Sequence, residues 1–441
     1  MWTLARSCGL GLGGLLLLLT GCSTNRLMMP TPNIHLDLQR DYYAGLDADL
    51  RDTEVPLFYI TDRVPEQGPE GKLRYGYGRS ASVAFGTATV DLGRDIGWEE
   101  LREASRTQRR LNPVELEMRD VQEILRGPPT PLPYTEIDGR LVEEPAAATR
   151  RAEENEAFHR IMAAQLERTP RKEVFLYVHG YHNTFDDAAF AMAELWHFLG
   201  RIGVPIIYTW PAGHPGAFGY TYDRESSEFT VYHLRRALRF IASLPEVEKI
   251  HLIAHSRGTD VAVAALRELT IGARAAGLDP RKEFKIHNLV LAAPDLDVEV
   301  AVQRIAGDQL ALSVNRFTVY TSPADKAVGI AATLFASPRG RVGTFGIDDV
   351  SDTVRASMEF GLENAAANFA IVNFSGAADV SGSQRDRYGH SYFRDAPTVS
   401  SDLVLMLRDD LDPGTAGRPL EPIGLRFWQV PPGYPLEKPT E

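Results

Sequence analysis

The sequence predicts an α/β fold in which helices cover both faces of a mostly parallel, doubly wound sheet. Short apolar stretches and helical stretches alternate repeatedly between residues 173 and 374, which is typical of parallel strands joined by crossover helices. The apolar stretches, for example Val-Phe-Leu-Tyr-Val at 174–178, are unbroken, as expected for strands buried on both faces. One of them, Ile250 to Ala254, leads through a tight turn carrying Ser256 into a helical pattern, which is the arrangement of a nucleophile elbow.

The composition excludes several classes of function. The chain has 441 residues, 44% of them hydrophobic, and can bury a sizeable core as one elaborated domain or two. Its formal net charge is −12 and no concentrated Lys/Arg face is present, so we expect no nucleic-acid partner. Its only cysteines, Cys8 and Cys22, lie near the N-terminus. The mature body therefore has no thiol for a disulfide, a cysteine nucleophile or a thiolate metal site.

The first 21 residues have the pattern of a lipoprotein signal peptide. Arg6 precedes an apolar, leucine-rich run from Leu10 to Leu19, which is shorter than the roughly 20 residues that a membrane span needs. The run ends in Leu-Thr-Gly-Cys, which resembles a bacterial lipobox with cleavage before Cys22 and diacylation of its thiol. Ser23 follows instead of aspartate, and by analogy with Gram-negative sorting this favours the outer membrane, facing the periplasm. We therefore expect a membrane partner through an N-terminal lipid anchor.

The next part of the chain predicts a tether and then the first elements of the domain. Residues 22–52 are polar and irregular, as expected for a tether, and the main domain is expected over 53–412. Val55 to Thr61 predicts the first core strand, and Leu73 to Val90 predicts one or two more. Residues 98–168 are rich in charge and predict a helical insertion around a Pro-rich connection.

The second half predicts the alternating core of the sheet and a Pro-rich C-terminal tail over 413–441, which contains Trp428 and is expected to pack on the body. The order of the elements follows from their hydrophobic periodicity. Strands are expected at 173–179, 204–210, 250–254, 286–293, 316–321 and 370–374, and helices at 186–199 and 223–244, from 260 and from 298.

The order of residues after the elbow indicates the base. A serine hydroxyl needs a histidine to accept its proton, and a carboxylate to orient that histidine. In strand–turn–helix elbows of this kind the chain order is serine, acid, histidine. His287 and His390 are the histidines that follow Ser256. His287 lies within a predicted strand, before any suitable acid, so His390, in a loop after the strand at 370–374, is the predicted base.

Two carboxylates are candidates for the acid. Asp325 directly follows the strand at 316–321, and Asp295 follows the preceding strand. Either strand end can carry the acid in such a sheet, and we favour Asp325 because its strand is the commoner site. Asp295 has an alternative explanation as a helix N-cap or first-turn carboxylate ahead of Val298.

The oxyanion that forms during acyl transfer needs backbone N–H donors fixed in advance. The amide of Arg257, directly after the serine, is the first candidate. The amide of Tyr181, in the loop after the strand at 173–179, is the second. We expect the His179 side chain to shape that loop. No metal or cofactor is expected, because His179 and His182 lack the spacing and the carboxylate partner of a zinc site.

Five motifs occur in order along the chain: Phe58–Arg63, Val178–Asn183, Ala254–Gly258, Ala293–Asp297 and Gly389–Tyr392. Together they resemble the bacterial α/β-hydrolases of unknown function, usually labelled esterase/lipase superfamily. The resemblance implies an α/β-hydrolase fold and a Ser-Asp-His hydrolase, with Ser256 as nucleophile, His390 as base and Asp325 as acid, Asp295 being unresolved. It implies no particular substrate. Ala254 in place of the usual glycine and the long insertion at 98–168 depart from the family pattern.

These observations predict a lipid-anchored serine hydrolase that cleaves a small-molecule or lipid-like carboxylic ester through an acyl-Ser256 intermediate. Aromatic residues between Tyr208 and Tyr222 either form one wall of an apolar pocket or pack for stability. Two alternatives remain open at this point. An amide hydrolase would use the same residues, and a non-catalytic envelope lipoprotein would use the fold as an interaction scaffold. The sequence indicates no oligomeric state.

Overall fold

A 12-stranded sheet runs through the molecule, beside a separate two-stranded hairpin. The computed structural model describes residues 26–435, apart from 38, 217, 335–336, 338, 350–367 and 377–387. The predicted signal peptide and Cys22 therefore lie outside the described residues. The strands are β1 (Arg26–Leu27), β2 (Glu54–Gln67), β3 (Leu73–Leu92), β4 (Glu115–Arg126), β5 (Tyr134–Ile137), β6 (Arg140–Glu143), β7 (Glu173–Val178), β8 (Val204–Thr209), β9 (Lys249–His255), β10 (Ile286–Ala292), β11 (Arg316–Thr321), β12 (Phe369–Asn373), β13 (Glu421–Gly424) and β14 (Phe427–Gln429).

Helices connect these strands and cover the sheet. The α-helices are α1 (Trp98–Ala104), α2 (Pro145–Glu167), α3 (Phe185–Phe198), α4 (Gly219–Ser243), α5 (Gly258–Ala275), α6 (Pro280–Phe284), α7 (Val298–Ala301), α8 (Lys326–Leu334), α9 (Tyr392–Asp395) and α10 (Pro397–Leu407). Short 3-10 turns lie at Asn33–Leu36, Ala48–Leu50, Pro69–Gly71, Leu310–Ser313, Val342–Thr344 and Ile347–Asp349, and a π-helical turn at Val302–Gly307. No helix in the described part of the chain combines the length and the apolar character needed to cross a membrane.

The strand order of the large sheet is β1-β4-β3-β2-β8-β7-β9-β10-β11-β12-β14-β13. The block from β2 through β8, β7, β9, β10, β11 and β12 to β14 is parallel, and antiparallel pairs extend it at both edges. The chain winds one way from β7 to β8 and the other way from β9 to β12, so the direction reverses between β7 and β9. Ligands of such sheets bind beyond the carboxyl ends of the strands at this reversal. The prediction of an α/β, mostly parallel, doubly wound sheet is confirmed.

The core has two layers because the central strands are buried on both faces. Every residue of β7 is buried, and its side chains alternate between the layers. Phe175 and Tyr177 lie in the cluster with α3 and α10, whereas Val174 and Leu176 lie in the cluster with α4 and α5. Burying one such large apolar side chain stabilises the fold by about 1.5–3 kcal/mol. This layered core holds the carboxyl ends of the central strands in place.

The prediction of a tether over 22–52 is wrong for the described residues from 26 onward. β1 pairs with β4 in antiparallel register, and Met29 is fully buried with its N–H donating to the Glu194 carboxylate. The His35 Nε2 atom lies 2.8 Å from the carbonyl oxygen of Phe198. The segment has no regular hydrophobic period, so only its distant partners show that it is ordered.

The prediction of a helical insertion over 98–168 is correct for α1 and α2 and wrong between them. Residues 115–126 form β4, which pairs with β3, and β5 and β6 form the separate hairpin. The register of β4 shifts twice, so that Arg119 and Ile124 have no partner in the ladder. Each shift changes which face the following residues point to. The two shifts interrupt the alternation of side chains between the two faces of the strand. The sequence pattern of this charged segment therefore resembled that of a helix.

The C-terminal tail packs on the body, as expected, and it also extends the sheet. β14 pairs with β12 in parallel, and β13 pairs with β14, so the tail adds two strands after the predicted strand at 370–374. Arg418 and Asp402 form an ion pair at 2.7 Å with both side chains fully buried. Tyr434 donates to the same carboxylate at 2.6 Å.

Candidate active site

Ser256 stands at the turn between β9 and α5 with a backbone φ of +52°. A non-glycine residue in this region is strained by about 1–2 kcal/mol. The turn is held by its backbone, because the Ser256 N–H donates to Ala292 at 2.9 Å and the Thr259 hydroxyl donates to the Ser256 carbonyl at 2.6 Å. The serine is buried, with 5% of its surface exposed. Strain and position together match a nucleophile elbow.

Two positions at the turn, both occupied by glycine, have no room for a side chain. A Cβ on Gly258 would lie 2.3 Å from the His179 carbonyl oxygen, and a Cβ on Gly180 would lie 2.6 Å from the Ser256 Cβ. Ala254 is fully buried at the end of β9, so a methyl group fits at the position where the family pattern usually has glycine. The departure noted in the sequence is therefore accommodated.

His390 and Asp325 are brought together from separate parts of the chain. The Nδ1 atom of His390 lies 2.7 Å from Oδ2 of Asp325, whose side chain is fully buried. The other carboxylate oxygen, Oδ1, accepts the N–H of Val328 at 3.1 Å in the first turn of α8. The carbonyl oxygen of His390 lies 3.3 Å from Nε2 of His255, the residue directly before Ser256. The loop that carries His390 thus lies against the elbow.

Asp295 has different partners. It accepts a hydrogen bond from the Tyr220 hydroxyl at 2.7 Å and lies 3.2 Å from the guanidinium of Arg341. Asp297, two residues on, caps α7 by accepting the N–H of Glu299 at 2.9 Å. The alternative explanation of Asp295 as a helix cap is therefore wrong, since Asp297 has that role. Asp325, the favoured candidate, is the carboxylate that contacts His390.

The two predicted oxyanion donors are backbone amides of the turns that follow β7 and β9. Neither Tyr181 N–H nor Arg257 N–H donates to any of the described residues. The amides on either side of Tyr181 are satisfied, because Gly180 donates to a side-chain oxygen at 3.1 Å and His182 donates to Asp223 at 3.0 Å. Both unpaired donors belong to turns at the carboxyl ends of neighbouring strands.

The loop that carries Tyr181 is held by two buried charges. Arg63 donates to the carbonyl oxygens of Ala212 and Asn183 at 2.9 and 2.8 Å. The Asp223 carboxylate accepts the N–H of Gly213 at 3.1 Å as well as that of His182. Arg63 lies in one of the motifs found in the sequence, but no pattern indicated its contacts. Asp223 gave no sequence signal, because its partners are backbone amides of other loops.

His179 shapes the same loop, as expected. Its Nδ1 atom donates to the Gly180 carbonyl at 2.9 Å, and its Nε2 atom accepts the N–H of Trp210 at 3.0 Å. Burial, and then the positive charge of Arg63, hold the pKa of His179 well below its ordinary value. The ring is therefore neutral and structural. His287 is also accounted for, since it lies 2.8 Å from Asp410.

A family model for an alpha/beta hydrolase of unknown function (DUF900) matches residues 154–407. This range covers more than half of the chain and includes Ser256, Asp325 and His390. The chain belongs to this family. The resemblance noted in the sequence is thus confirmed, and a hydrolase fold is established. No curated protein matches the chain.

In this alpha/beta hydrolase the predicted aromatic residues divide into two groups. Tyr208 and Trp210 are fully buried beneath the site and pack for stability. Tyr220, by contrast, lies with its ring centroid 5.0 Å from that of Tyr181, and Phe218 is 78% exposed. The rings of Tyr181 and Tyr220 thus lie at the loop after β7, whose Gly180 adjoins Ser256. Among the described residues of the hydrolase, no group of three or more histidine, cysteine or acidic side chains is arranged to hold a metal ion.

Proposed function

We propose that this alpha/beta hydrolase is a serine hydrolase that cleaves a carboxylic ester through an acyl-Ser256 intermediate. The observation that carries the proposal is the 2.7 Å hydrogen bond between His390 Nδ1 and the buried Asp325 carboxylate, in a loop that lies against the strained elbow serine. A carboxylate bonded to Nδ1 selects the tautomer whose Nε2 atom accepts a proton.

The chemistry follows from these positions. His390 Nε2 accepts the Ser256 proton while Oγ bonds to the carbonyl carbon of the ester. The negative charge on the carbonyl oxygen is stabilised by the amides of Tyr181 and Arg257, which donate to no described residue. Preorganised donors of this kind contribute about 3–4 kcal/mol each to transition-state stabilisation. The imidazolium then protonates the leaving alcohol. In the second half His390 activates water, which releases the acid and restores the serine.

The substrate we propose is a small-molecule or lipid-like ester with an apolar or aromatic group. Support comes from the rings of Tyr181 and Tyr220, whose centroids are 5.0 Å apart beside the elbow, and from the exposed ring of Phe218, two residues before Tyr220 in the chain. Exposed aromatic rings beside a buried nucleophile favour a partner that buries apolar area. The surrounding charges, such as Arg257 and Asp260 at 2.8 Å, are paired with one another.

We also propose that the protein is a lipoprotein anchored by a diacylated Cys22 in the outer membrane and facing the periplasm. The support is the leucine-rich N-terminal run that ends in Leu-Thr-Gly-Cys, followed by Ser23. Replacing Cys22 with alanine is expected to remove radiolabelled palmitate from the protein. Continued palmitate incorporation in Cys22→Ala would contradict this anchor.

Labelling with a fluorophosphonate probe tests the nucleophile directly. We expect wild-type protein to react at Ser256, and labelling to disappear in Ser256→Ala and in His390→Ala. Ser243→Ala, at the end of α4, is the matched serine control and should label like the wild type. Retained labelling in Ser256→Ala would refute the proposed nucleophile. No labelling of a folded wild type would instead favour the non-catalytic scaffold.

Paired substrates then test the bond that is cleaved. A p-nitrophenyl ester series of increasing acyl length is expected to show a higher kcat/KM than the matched anilides. Faster hydrolysis of the anilides would favour the amide hydrolase over the esterase.

A further inference from the structure

A cavity lies away from the candidate active site. Its volume is about 500 Å³, within the range of about 300–1,000 Å³ that is usual for small-molecule sites. Helices α2 and α4 form one side, and β2, β3 and the end of β4 form the other. Ser256, Asp325, His390, Tyr181 and Arg257 are not among its lining residues. A ligand of this cavity is therefore independent of the proposed hydrolysis.

The floor of this cavity is apolar and aromatic. The ring centroids of Phe85 and Phe158 are 4.0 Å apart, and those of Phe158 and Phe240 are 5.0 Å apart. Ile60 and Leu125 complete the apolar lining. Such a surface gains free energy when it is covered by hydrocarbon.

The polar groups of the cavity leave a net positive charge at its rim. Arg151 is neutralised by Glu143 through bonds of 2.9 and 2.6 Å. Arg236 and Arg239 also line the cavity, and neither makes an ion pair with an acidic side chain among the described residues. The guanidinium of Arg236 lies 5.7 Å from the centroid of the Tyr232 ring. Two arginines and one carboxylate, that of Glu154, therefore remain among the charged lining residues.

Glu154 and His233 are two further polar residues of the cavity lining. The Oε2 atom of Glu154 is buried and bonds to none of the described residues, and burial raises the pKa of this carboxyl group. Both ring nitrogens of His233 are occupied, because Nδ1 lies 2.9 Å from Asp62 and Nε2 lies 2.8 Å from Thr130. The charged side chains left to meet a ligand's charged group are therefore the two arginines and Glu154.

We propose that this cavity binds a single-chain anionic amphiphile of the fatty-acid class. The hydrocarbon chain lies on Phe85, Phe158 and Phe240, and the carboxylate meets Arg236 and Arg239. Planar guanidinium groups bind carboxylates through paired hydrogen bonds, and the apolar floor matches an alkyl chain. A cationic amphiphile of equal length would meet two like charges instead.

Photo-crosslinking to the full chain in isolated membranes tests the proposal. The probe is dodecanoate with a diazirine near the end of its chain, and crosslinked peptides are mapped by mass spectrometry. We expect crosslinks in α2 and α4, and we expect unlabelled dodecanoate to compete at least about tenfold better than dodecyltrimethylammonium. Crosslinks confined to peptides around Ser256 would overturn the proposal, as would equal competition by the cationic compound.

Three variants separate the cavity from non-specific labelling. Ala237→Trp fills the cavity from α4 and is expected to abolish the crosslinks in α2 and α4. The double variant Arg236→Gln with Arg239→Gln is expected to lower the yield about tenfold. Arg235→Gln is the matched control, because Arg235 is paired with Glu268 and does not line the cavity. Unchanged fluorophosphonate reactivity or an unchanged Tm will show that Ala237→Trp is folded. Crosslinks that persist in a folded Ala237→Trp would refute the assignment.

Discussion

The sharpest prediction concerns which carboxylate orients His390. Asp325 and Asp295 each follow a central strand, but only Asp325 contacts His390. Asp295 instead contacts Tyr220 and Arg341. Replacing Asp325 with asparagine puts an amide where the carboxylate accepts the His390 Nδ1 proton at 2.7 Å. The side-chain NH₂ then favours the wrong tautomer of the imidazole. Replacing Asp295 with asparagine leaves that contact intact and removes the charge that pairs with Arg341 at 3.2 Å.

The two variants are expected to differ in whether kcat or the free energy of unfolding falls. Loss of the orienting carboxylate in a serine hydrolase lowers kcat by about 10⁴, which corresponds to about 5.5 kcal/mol of transition-state stabilisation. In Asp325→Asn the side-chain amide oxygen can still accept the Val328 N–H, as Oδ1 of the aspartate does, so the free energy of unfolding should fall by no more than about 1 kcal/mol. For Asp295→Asn we expect the opposite pattern, a large loss of stability with a small loss of kcat. Breaking a buried ion pair lowers stability by about 3–5 kcal/mol, whereas kcat should fall by less than about tenfold.

The assay is a comparison of both variants with wild type on one p-nitrophenyl ester, together with urea unfolding of all three proteins. We expect Asp325→Asn to be inactive and stable, and Asp295→Asn to be active and destabilised. A rate loss of about 10³ or more in Asp295→Asn, with near-normal kcat in Asp325→Asn, would refute the geometric assignment. Equal losses in both would show that the two carboxylates act together.

Three further perturbations follow from single sites. Gly180→Ala places a Cβ 2.6 Å from the Cβ of the elbow serine, so we expect fluorophosphonate labelling to slow by about 100-fold or more, whereas Gly272→Ala, where a Cβ meets no atom within 4 Å, should label normally. Burial lowers the pKa of His251 to about 4 from 6.5, so the folded state excludes a proton that the unfolded chain takes up below pH 6.5. The free energy of unfolding should be unaffected by this group above pH 6.5 and should fall by about 3 kcal/mol as the pH drops to 4; urea unfolding should show a shallower pH dependence in His251→Gln, and an identical dependence would contradict the prediction. Arg418→Met leaves the Asp402 carboxylate buried without its partner, and we expect thermal unfolding to show a loss of about 3–5 kcal/mol, which an unchanged Tm would contradict.

The parts of the fold that were predictable from sequence are those whose signal is local. The unbroken apolar run of β7 and the elbow turn at Ser256 each carry their own pattern, and the structure has both where they were expected. The order serine, acid, histidine also identified His390 as the candidate base. These inferences needed no knowledge of distant contacts, because periodicity and turn chemistry are properties of short segments.

The errors arose where order depends on distant partners. The segment from residue 26 is held by pairing with β4 and by contacts such as Met29 with Glu194, 165 positions away. β4 itself carries two register shifts that interrupt its alternation. For the same reason the choice between Asp325 and Asp295 stayed open in the sequence. Both follow a strand, and only the position of the His390 loop distinguishes them.

Helix α4 shows why the two proposed ligand sites must be separate. Its first turn carries Tyr220, which bonds to Asp295 beside the elbow, whereas the cavity begins at His233 and extends to Ser243. A helix rises 1.5 Å per residue, so Tyr220 and His233 lie about 20 Å apart along the axis. The cavity is also lined by β3 and α2, which do not contribute to the elbow. A chain bound there is not the acyl group attached to Ser256, and Ala237→Trp should therefore abolish crosslinking in the cavity while leaving the reaction of Ser256 unchanged.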